Sequence, residues 1–118
     1  MKYFNRKTGE QGESLALEYL LNLGYELIMR NFYTRYGEID LIMRDKGTTV
    51  FVEVKAKKTD EWGTPEEMFT QGKYRKVKNM GMVYLHGKDV LCRIDMVAVD
   101  LFTDPPALRH YPNVTFLD

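Results

Sequence analysis

Gly37-Glu38-Ile39-Asp40-Leu41-Ile42, followed by Val50-Phe51-Val52-Glu53-Val54-Lys55, predicts a β-hairpin at the centre of the fold. Alternate side chains of a strand share a face, so Glu53 and Lys55 should point one way and the intervening valines the other. The second strand therefore presents a carboxylate and an ammonium together on one face of the predicted sheet.

The turn of this hairpin sets the position of a second carboxylate. A two-residue turn at Lys46-Gly47 would place Asp40 directly opposite Glu53, with about 5 Å between their Cβ atoms. A three-residue loop over residues 45–47 with a bulge is equally compatible and would make the two acids staggered neighbours. In either register both carboxylates lie within reach of one cation.

Facing carboxylates on a sheet need compensation by Mg²⁺, by a shared proton or by a nearby cation such as Lys55. A hard divalent ion bound by one or two carboxylates keeps positions for water and phosphate oxygens, and it activates the water. On this interpretation Asp40 and Glu53 bind the metal, and Lys55 orients the attacking water or stabilises the transition state. The pattern is typical of a metal-dependent phosphodiesterase.

The same three residues have a simpler interpretation as a cross-strand ion pair on an exposed face, which contributes little when solvated. One Asp followed by Glu-x-Lys is a weak pattern by itself. The strand around Glu53 is, however, mostly apolar on both faces, as in a covered strand where unpaired charge is costly. This context favours the metal site.

The composition predicts one globular domain over residues 1–118, because a chain of this length with 44% hydrophobic residues has room for a single core. No run approaches the roughly eighteen apolar residues of a membrane span, and residues 1–6 lack the apolar stretch of a signal peptide. We therefore expect a cytoplasmic protein with no membrane partner. Cys92, in an apolar strand, should be a small buried residue, and the isolated His86 and His110 argue against zinc.

Basic residues gather in two places, although the chain has seventeen acidic and seventeen basic residues and a net charge of zero. The first group surrounds the end of the acidic strand, and the second opens a predicted helix. These candidate nucleic-acid-binding residues are Lys57 and Lys58 in the first group, and Lys73, Arg75 and Lys76 in the second. A basic rim around an acidic pit suits a metal nuclease, whereas a solvated helix face is the alternative interpretation.

The first helix is predicted over Gly9 to Leu23. Thr8 with Gln11 forms a candidate capping box, and apolar residues recur at helical spacing up to a stop at Gly24. Glu13 lies about 20° from Leu20 around the helix, on the margin of the apolar stripe, and is the acid aimed nearest the sheet. It either supplies a third carboxylate to the metal or extends along the edge of the core.

The second helix is predicted over Gln71 to Leu85. A capping box with proline at Thr64-Pro65-Glu66-Glu67 predicts a short helical turn before it, broken at Gly72, and Lys73 lies at the edge of the later apolar stripe. Trp62, in the loop before this turn, either wedges against DNA or covers the sheet edge, and we expect the latter.

The remaining segments complete an α/β protein, a mixed sheet flanked by helices, with strands paired locally and by a crossover. A turn at Asp104-Pro105-Pro106 separates the last two strands. The predicted strands are Tyr25 to Tyr33, residues 37–44, residues 48–56, Val90 to Asp100 and Arg109 to Phe116.

A family resemblance rests on several motifs taken together. They are Gly12-Glu13, Arg30-Asn31, Gly37 to Ile42, Phe51 to Lys55 and Arg93-Ile94-Asp95. Their combination resembles the YraN family of small bacterial proteins over nearly the whole chain. That family is similar in turn to archaeal Holliday junction resolvases and to the PD-(D/E)xK nuclease superfamily, which implies a restriction-endonuclease-like fold.

The resemblance also implies roles for individual residues. Asp40 and Glu53 look like the metal-binding acids, Val54 would add its backbone carbonyl, Lys55 looks like the motif lysine and Glu13 like the helix-borne acid. Such enzymes use Mg²⁺ or Mn²⁺ to hydrolyse DNA phosphodiesters, and the resolvases act as dimers on four-way junctions. We therefore expect branched or otherwise structured DNA as the partner, together with a homodimer.

Two positions depart from the family pattern. These departures concern the identity of the substrate more than the hydrolytic chemistry. Lys57 stands where arginine is usual, and Tyr74 stands where glutamine is frequent. Lysine lacks bidentate phosphate recognition, and tyrosine offers stacking in place of amide hydrogen bonds.

Three hypotheses remain at this point. The first is a Mg²⁺-dependent endonuclease acting on structured DNA. The second is a non-catalytic nucleic-acid-binding module that retains the fold and the basic helix, with salt-dependent binding and no cleavage product. The third is a protein-interaction domain in which the charged residues form only a structural ion network.

Overall fold

The computed structural model describes residues 2–117, which form a five-stranded sheet and two main helices. A 3-10 turn at Glu66–Met68 precedes the second helix. The helices are α1 (Lys2–Asn22) and α2 (Gln71–Leu85), and the strands are β1 (Glu26–Thr34), β2 (Gly37–Asp45), β3 (Thr48–Lys57), β4 (Cys92–Asp100) and β5 (Ala107–Tyr111).

The strands lie in the order β1-β2-β3-β4-β5, and all neighbours are antiparallel except β3 and β4. A parallel pair needs a crossover connection, and here α2 provides it. β1 to β3 form a meander, and β4 then joins the far side of β3. The mixed α/β sheet with a crossover is thus confirmed, and it is compatible with a restriction-endonuclease-like fold.

The β2–β3 hairpin has the two-residue turn. Asp45 pairs with Thr48, and the register continues without a shift to Leu41 opposite Val52. Lys46 and Gly47 both have positive φ, 49° and 88°, as the favoured two-residue hairpin turns require. The bulged three-residue alternative is therefore wrong, and the register directs the next pair, Asp40 and Glu53, toward each other.

The two helices cover opposite faces of the sheet. On one face, Ala16 and Leu20 of α1 pack with Leu41 of β2 and with Val50 and Val52 of β3. On the other, Val77 and Met80 of α2 pack in a separate cluster that includes Ile42 of β2 and Phe51 of β3. This explains why the central strands are apolar on both faces, and it means that Asp40 and Glu53 on these strands are largely shielded from water.

Two glycines allow the helices to lie close to β3. A Cβ atom on Gly12 would lie 2.5 Å from Cβ of Ala56, and one on Gly81 would lie 2.7 Å from Cε2 of Phe51. Neither distance is possible without displacement of the helix or of its neighbour. These contacts let α1 and α2 pack closely against β3, the strand that carries Glu53.

The start of α1 differs from the prediction. The helix begins at Lys2, so Thr8 and Gln11 lie inside it and the capping box predicted there is wrong. A Thr and a Gln three residues apart are also neighbours on a continuous helix surface, so their spacing did not distinguish the two cases. The predicted end at Leu23 agrees within one residue with the observed end at Asn22.

The α2 region agrees more closely with the prediction. The helix has the predicted bounds, and the short turn before it is present, with the Glu67 N–H donating to Thr64 Oγ1 at 3.3 Å. The break between them is at Thr70 rather than Gly72. The side chain of Thr70 caps the helix by accepting a hydrogen bond from the Lys73 N–H at 3.3 Å.

Other predicted boundaries and exposures need correction. β4 begins two residues later than predicted, and β5 begins at Ala107 and ends at Tyr111 rather than Phe116. Cys92 is exposed because it lies at the first position of β4, so the predicted burial is wrong. Trp62 is 94% exposed and therefore does not cover the sheet edge as expected.

A buried polar network explains the Arg93-Ile94-Asp95 motif. Asp95 is fully buried and accepts hydrogen bonds from the hydroxyl of Tyr25 at 3.1 Å, from Nε of Arg93 at 3.0 Å and from the N–H of Asn113 at 2.9 Å. Nε2 of His110 lies 2.8 Å from the same carboxylate. Burial opposes ionisation of Asp95, but its bonds to His110 and Arg93 outweigh this effect and lower the pKa. The motif fastens β4 to β5 and to the start of β1.

Neither helix in residues 2–117 has the length and apolar character needed to cross a membrane.

Candidate metal centre

The charged residues of β2 and β3 line a cavity of about 260 Å³ between the sheet and α2, which we call the acidic pit. Glu38 and Asp40 alternate along β2 and so share a face, as do Glu53 and Lys55 along β3. The helix contributes basic residues to the opposite wall. The lining residues are Gly37, Glu38, Asp40, Glu53, Lys55, Lys73, Lys76 and Val77.

Asp40 is the buried carboxylate of the pit, with 8% of its surface exposed. Its Oδ2 atom accepts a hydrogen bond from the N–H of Val54 at 2.8 Å, which fixes the side chain against β3. Burial raises its pKa well above the ordinary value, and the neighbouring Glu53 and Glu13 raise it further. The ionised form of Asp40 is therefore disfavoured in the protein alone, and a cation bound beside it would stabilise that form.

Glu53 stands beside Asp40 and is also only 8% exposed. Its Oε2 atom lies 3.5 Å from Nζ of Lys55, two residues along the same face of β3. The predicted grouping of Asp40, Glu53 and Lys55 is present. It lies between the sheet and α2 and not on a solvated face.

Glu13 reaches the pit from α1. Its Oε1 atom accepts a hydrogen bond from Nδ2 of Asn31 at 3.0 Å, and the same amide nitrogen donates to Oε2 of Glu38 at 3.3 Å. Asn31 has a left-handed backbone, with φ of 53°, in the middle of β1. Burial raises the pKa of Glu13, and the carboxylates of Glu38 and Glu53 add to this effect.

Glu13, Glu38 and Asp40 each offer a carboxylate oxygen, and these three oxygens lie within 4.8 Å of one another. Oxygen donors of this kind suit the hard cations Mg²⁺ and Mn²⁺. Two observations indicate that a divalent cation would fit among these residues. The three carboxylates lie close together, and the pKa of Asp40 is raised in the protein alone. Glu13, Glu38 and Asp40 together form a candidate metal-binding triad.

Lysines of α2 form the basic wall of the pit. Lys73 is half-buried beside Lys55, and both burial and the neighbouring Lys55 ammonium lower its pKa. Lys76, one helical turn further on, is exposed and lines the same cavity. Carboxylates and ammonium groups thus face each other across a space open to solvent.

The other residues predicted to bind nucleic acid are not among those that line the pit. Nζ of Lys57 donates to the carbonyls of Glu61 and Gly63, the latter at 2.7 Å, and so holds the loop after β3. Lys58 is exposed in that loop, and Arg75 is exposed on α2. Their contacts with DNA stay predictions, as does the metal-binding carbonyl of Val54.

Glu38 and Asn31 are candidate site residues that the sequence interpretation missed. The signal for Glu38 was available, because it is two residues from Asp40 and must share its face in a strand. Asn31 carried a weaker signal. Its role depends on a left-handed backbone that brings the amide between two carboxylates, and no local pattern predicts this.

Tyr74, where the family often has glutamine, belongs to the core on the α2 face. Its ring lies 5.2 Å from that of Phe116 and 6.4 Å from that of Phe69. The ring is therefore packed against other aromatic residues of the core.

A family model described as uncharacterised protein family UPF0102 matches residues 12–99. The chain belongs to this family. The matched region spans all four residues predicted to be catalytic: Glu13, Asp40, Glu53 and Lys55. The resemblance to the YraN family is thereby confirmed.

Relatives named UPF0102 protein match over most of their length. One from Geobacter metallireducens is 35% identical over 116 residues, covering 96% of this chain and 95% of the relative. One from Geobacter sulfurreducens is 38% identical over 115 residues, covering 94% and 90%. One from Syntrophomonas wolfei is 44% identical over 81 residues, covering 69% and 70%.

Proposed function

We propose that the protein is a metal-dependent endonuclease that hydrolyses DNA phosphodiester bonds, with a preference for branched or otherwise structured DNA. The observation that carries the proposal is the convergence of three carboxylates within 4.8 Å, beside a buried Glu53 and its paired Lys55. Clustered carboxylates can hold the metal ion that assists phosphodiester hydrolysis, and nearby lysines can stabilise the charge that develops.

Glu13, Glu38 and Asp40 would hold Mg²⁺ or Mn²⁺, with Glu53 as a further acid beside them. When bound, such an ion supplies Lewis acidity to a phosphate oxygen and lowers the pKa of a water. Asn31 would keep Glu13 and Glu38 oriented, and the N–H of Val54 would do the same for Asp40.

Lys55 would act on the reacting phosphate. Its ammonium is kept near Glu53 at 3.5 Å on the rigid central strand, at the boundary between the acidic and basic walls. From there it would donate a hydrogen bond to the attacking water or to a nonbridging phosphate oxygen, and so stabilise charge that develops in the transition state.

Lys73 and Lys76 would bind the DNA backbone next to the scissile bond. They lie on one side of α2 and line the pit, so a phosphate held by them lies over the carboxylates. Contacts of this kind supply affinity that does not depend on base sequence. Branched or bent backbones would be selected by the position of these lysines relative to the metal.

The test combines metal binding with cleavage. We expect Mg²⁺ and Mn²⁺ to bind the wild type in isothermal titration, and we expect cleavage of at least one of four-way, flapped and linear DNA. Asp40→Asn and Glu53→Gln should each lower cleavage at least about 100-fold. Glu38→Gln should weaken metal binding. Glu18→Gln, exposed on α1, is the matched control and should behave as wild type.

The result that would overturn the proposal is a folded wild type with neither metal binding nor cleavage. Salt-dependent DNA binding without a product would then identify a non-catalytic nucleic-acid-binding module. Circular dichroism of each variant separates loss of the site from loss of the fold.

A further inference from the structure

A second cavity, which we call the side pocket, adjoins the acidic pit. It has a volume of about 300 Å³ and is lined by Tyr36, Lys76, Asn79, Met80 and Val83. Lys76 lines both cavities, so it forms the boundary between them. The carboxylates, the basic wall and the side pocket therefore follow one another along the same side of α2.

The chemistry of the side pocket differs from that of the pit. Its surface is almost entirely apolar, formed by Met80 and Val83 and by the ring of Tyr36, with the Asn79 amide as the uncharged polar side chain. A pocket of this size with a few polar groups matches the usual features of a small-ligand site. Phosphate would gain nothing from the apolar surface, so the pocket suits a different part of the substrate.

Tyr36 is held in place although it is 65% exposed. The guanidinium carbon of Arg35 lies 5.0 Å from its ring centroid, and Nη2 of Arg35 donates to its hydroxyl at 2.7 Å. The Tyr36 N–H donates to Oγ1 of Thr34 at 3.0 Å, which fixes the turn between β1 and β2. An aromatic ring fixed at a cavity wall is a surface on which a flat ring can stack.

We propose that the side pocket binds the base of an unpaired nucleotide whose backbone lies across Lys76 and the acidic pit, an inference that rests on the proposed action on DNA. An apolar pocket with one aromatic wall and one amide complements a nucleobase, which has a π face and hydrogen-bonding edges. The Lys76 ammonium at the boundary complements the phosphate attached to it.

The side pocket alone is smaller than the interface that a stable dimer of this chain would need. A stable protein interface buries about 800 Å² on each partner and involves about twenty or more residues a side, whereas five residues line this cavity. An intact duplex also does not fill it, because the faces of paired bases are stacked. The occupant is thus an unstacked base, which defines the substrate as DNA with an unpaired nucleotide at the cleavage position.

The test measures DNA binding in the Asp40→Asn protein, which keeps the DNA strands intact. The probes are two fluorescent flapped duplexes that are identical except that the unpaired nucleotide at the branch carries a base in one and is abasic in the other. We expect the duplex with the base to bind about tenfold more tightly, the effect of stacking one base on an aromatic side chain.

Two further substitutions and one control assign this difference to the pocket. Tyr36→Ala removes the stacking surface, and Val83→Asp places a charge in the cavity from a residue that is 52% exposed. Each should reduce the preference for the base to less than about twofold. Met82→Ala, at a 58% exposed residue of the same helix that does not line the pocket, should retain it.

Equal binding of the two probes by the Asp40→Asn protein would overturn the proposal that the side pocket binds a base. Cleavage of DNA by the wild type would then leave the nuclease proposal intact. Preference for the base in a protein whose wild type cleaves no DNA would support the pocket and contradict the nuclease. A change from dimer to monomer on Val83→Asp in sedimentation, with no preference for the base, would show that a second copy covers the cavity and would also overturn it.

Discussion

Asp40 is the residue on which the electrostatics of the pit depend. It is nearly buried, it is held by the N–H of Val54, and Glu53 and Glu13 add to its negative surroundings. Its raised pKa means that the folded protein binds a proton at this group more tightly than the unfolded chain does. The stability contributed by this group is therefore greatest in acid and is lost as the pH rises through the folded-state pKa.

We expect Asp40→Asn to be more stable than the wild type at neutral pH in the presence of EDTA. Asparagine removes a charge that repels Glu53, which should raise the free energy of unfolding by up to about 1 kcal/mol. Its carbonyl can still accept a hydrogen bond from the Val54 N–H. The difference should shrink toward zero in acid, where Asp40 of the wild type is protonated. Thermal unfolding followed by circular dichroism between about pH 4 and 8 measures this.

Asp60→Asn in the exposed loop after β3 is the matched control for this substitution and should leave the pH dependence unchanged. Addition of Mg²⁺ should make the wild type more stable than Asp40→Asn, because the ion binds selectively to the wild type. A wild type that is the more stable protein at neutral pH in EDTA would contradict the electrostatic account of Asp40.

At this scale the sequence predicted Asp40, Glu53 and Lys55 because strand alternation and a short turn determine their positions. It also predicted that Glu13 points toward the sheet, which its hydrogen bond to Asn31 confirms. The half-burial of Lys73 agrees with its predicted place at the edge of the apolar stripe, whereas the depth of the pit and the bridging Asn31 were not predictable. They depend on how α1 and α2 pack, which local spacing does not encode.

The packing of α1 on β3 is the element contact that brings Glu13 to the pit. Gly12, the preceding residue, lies against Ala56, and a side chain there would lie 2.5 Å from Cβ of Ala56. Gly9, one turn earlier in the same helix, has no atom within 4 Å of a Cβ in that position. The two glycines therefore offer a matched pair of substitutions with opposite expected effects.

Gly12→Ala should destabilise the protein by about 1–3 kcal/mol, because the helix must move away from the strand. Gly9→Ala should stabilise it by about 0.5–1 kcal/mol, because alanine is the better helix former. Urea unfolding of both variants measures the two free energies. A loss of stability in Gly9→Ala equal to that in Gly12→Ala would show that the close contact is not the cause.

Elements whose limits are encoded locally were predicted well. The hairpin was predicted from Lys46-Gly47, and α2 was predicted from apolar residues at helical spacing. In the structure α2 ends before His86 and Gly87, which have left-handed backbones. The start of α1 was missed because its first residues lack a distinctive cap. β5 was overextended because it is set by pairing with β4 along only five residues.

The molecule as a whole has no net charge, so attraction to DNA must come from the local distribution of its charges. Lys76 is the lysine shared by the pit and the side pocket. Its removal leaves the carboxylates in place but takes one ammonium from the proposed backbone path. The whole-molecule property that should respond is the salt dependence of binding.

Lys76→Ala should weaken DNA binding and reduce the slope of log K against log salt by about one. Lys88→Ala, in the exposed turn after α2, changes the net charge equally and should leave the slope unchanged. Fluorescence anisotropy over a salt series measures both. Equal slopes for the two variants would show that net charge, and not the basic wall, determines binding.

The β2–β3 hairpin described above also influences how the chain folds. Glu38, Asp40, Glu53 and Lys55 come from neighbouring strands joined by two residues, whereas β4 pairs with β3 only after α2 has crossed the sheet. Short loops lose less entropy on closure than long ones, and contacts close in sequence form fastest. The two-residue turn therefore brings Glu38, Asp40 and Glu53 together at a small entropic cost. Glu13 of α1, the lysines of α2 and the parallel strand that completes the sheet belong to the slower, long-range assembly.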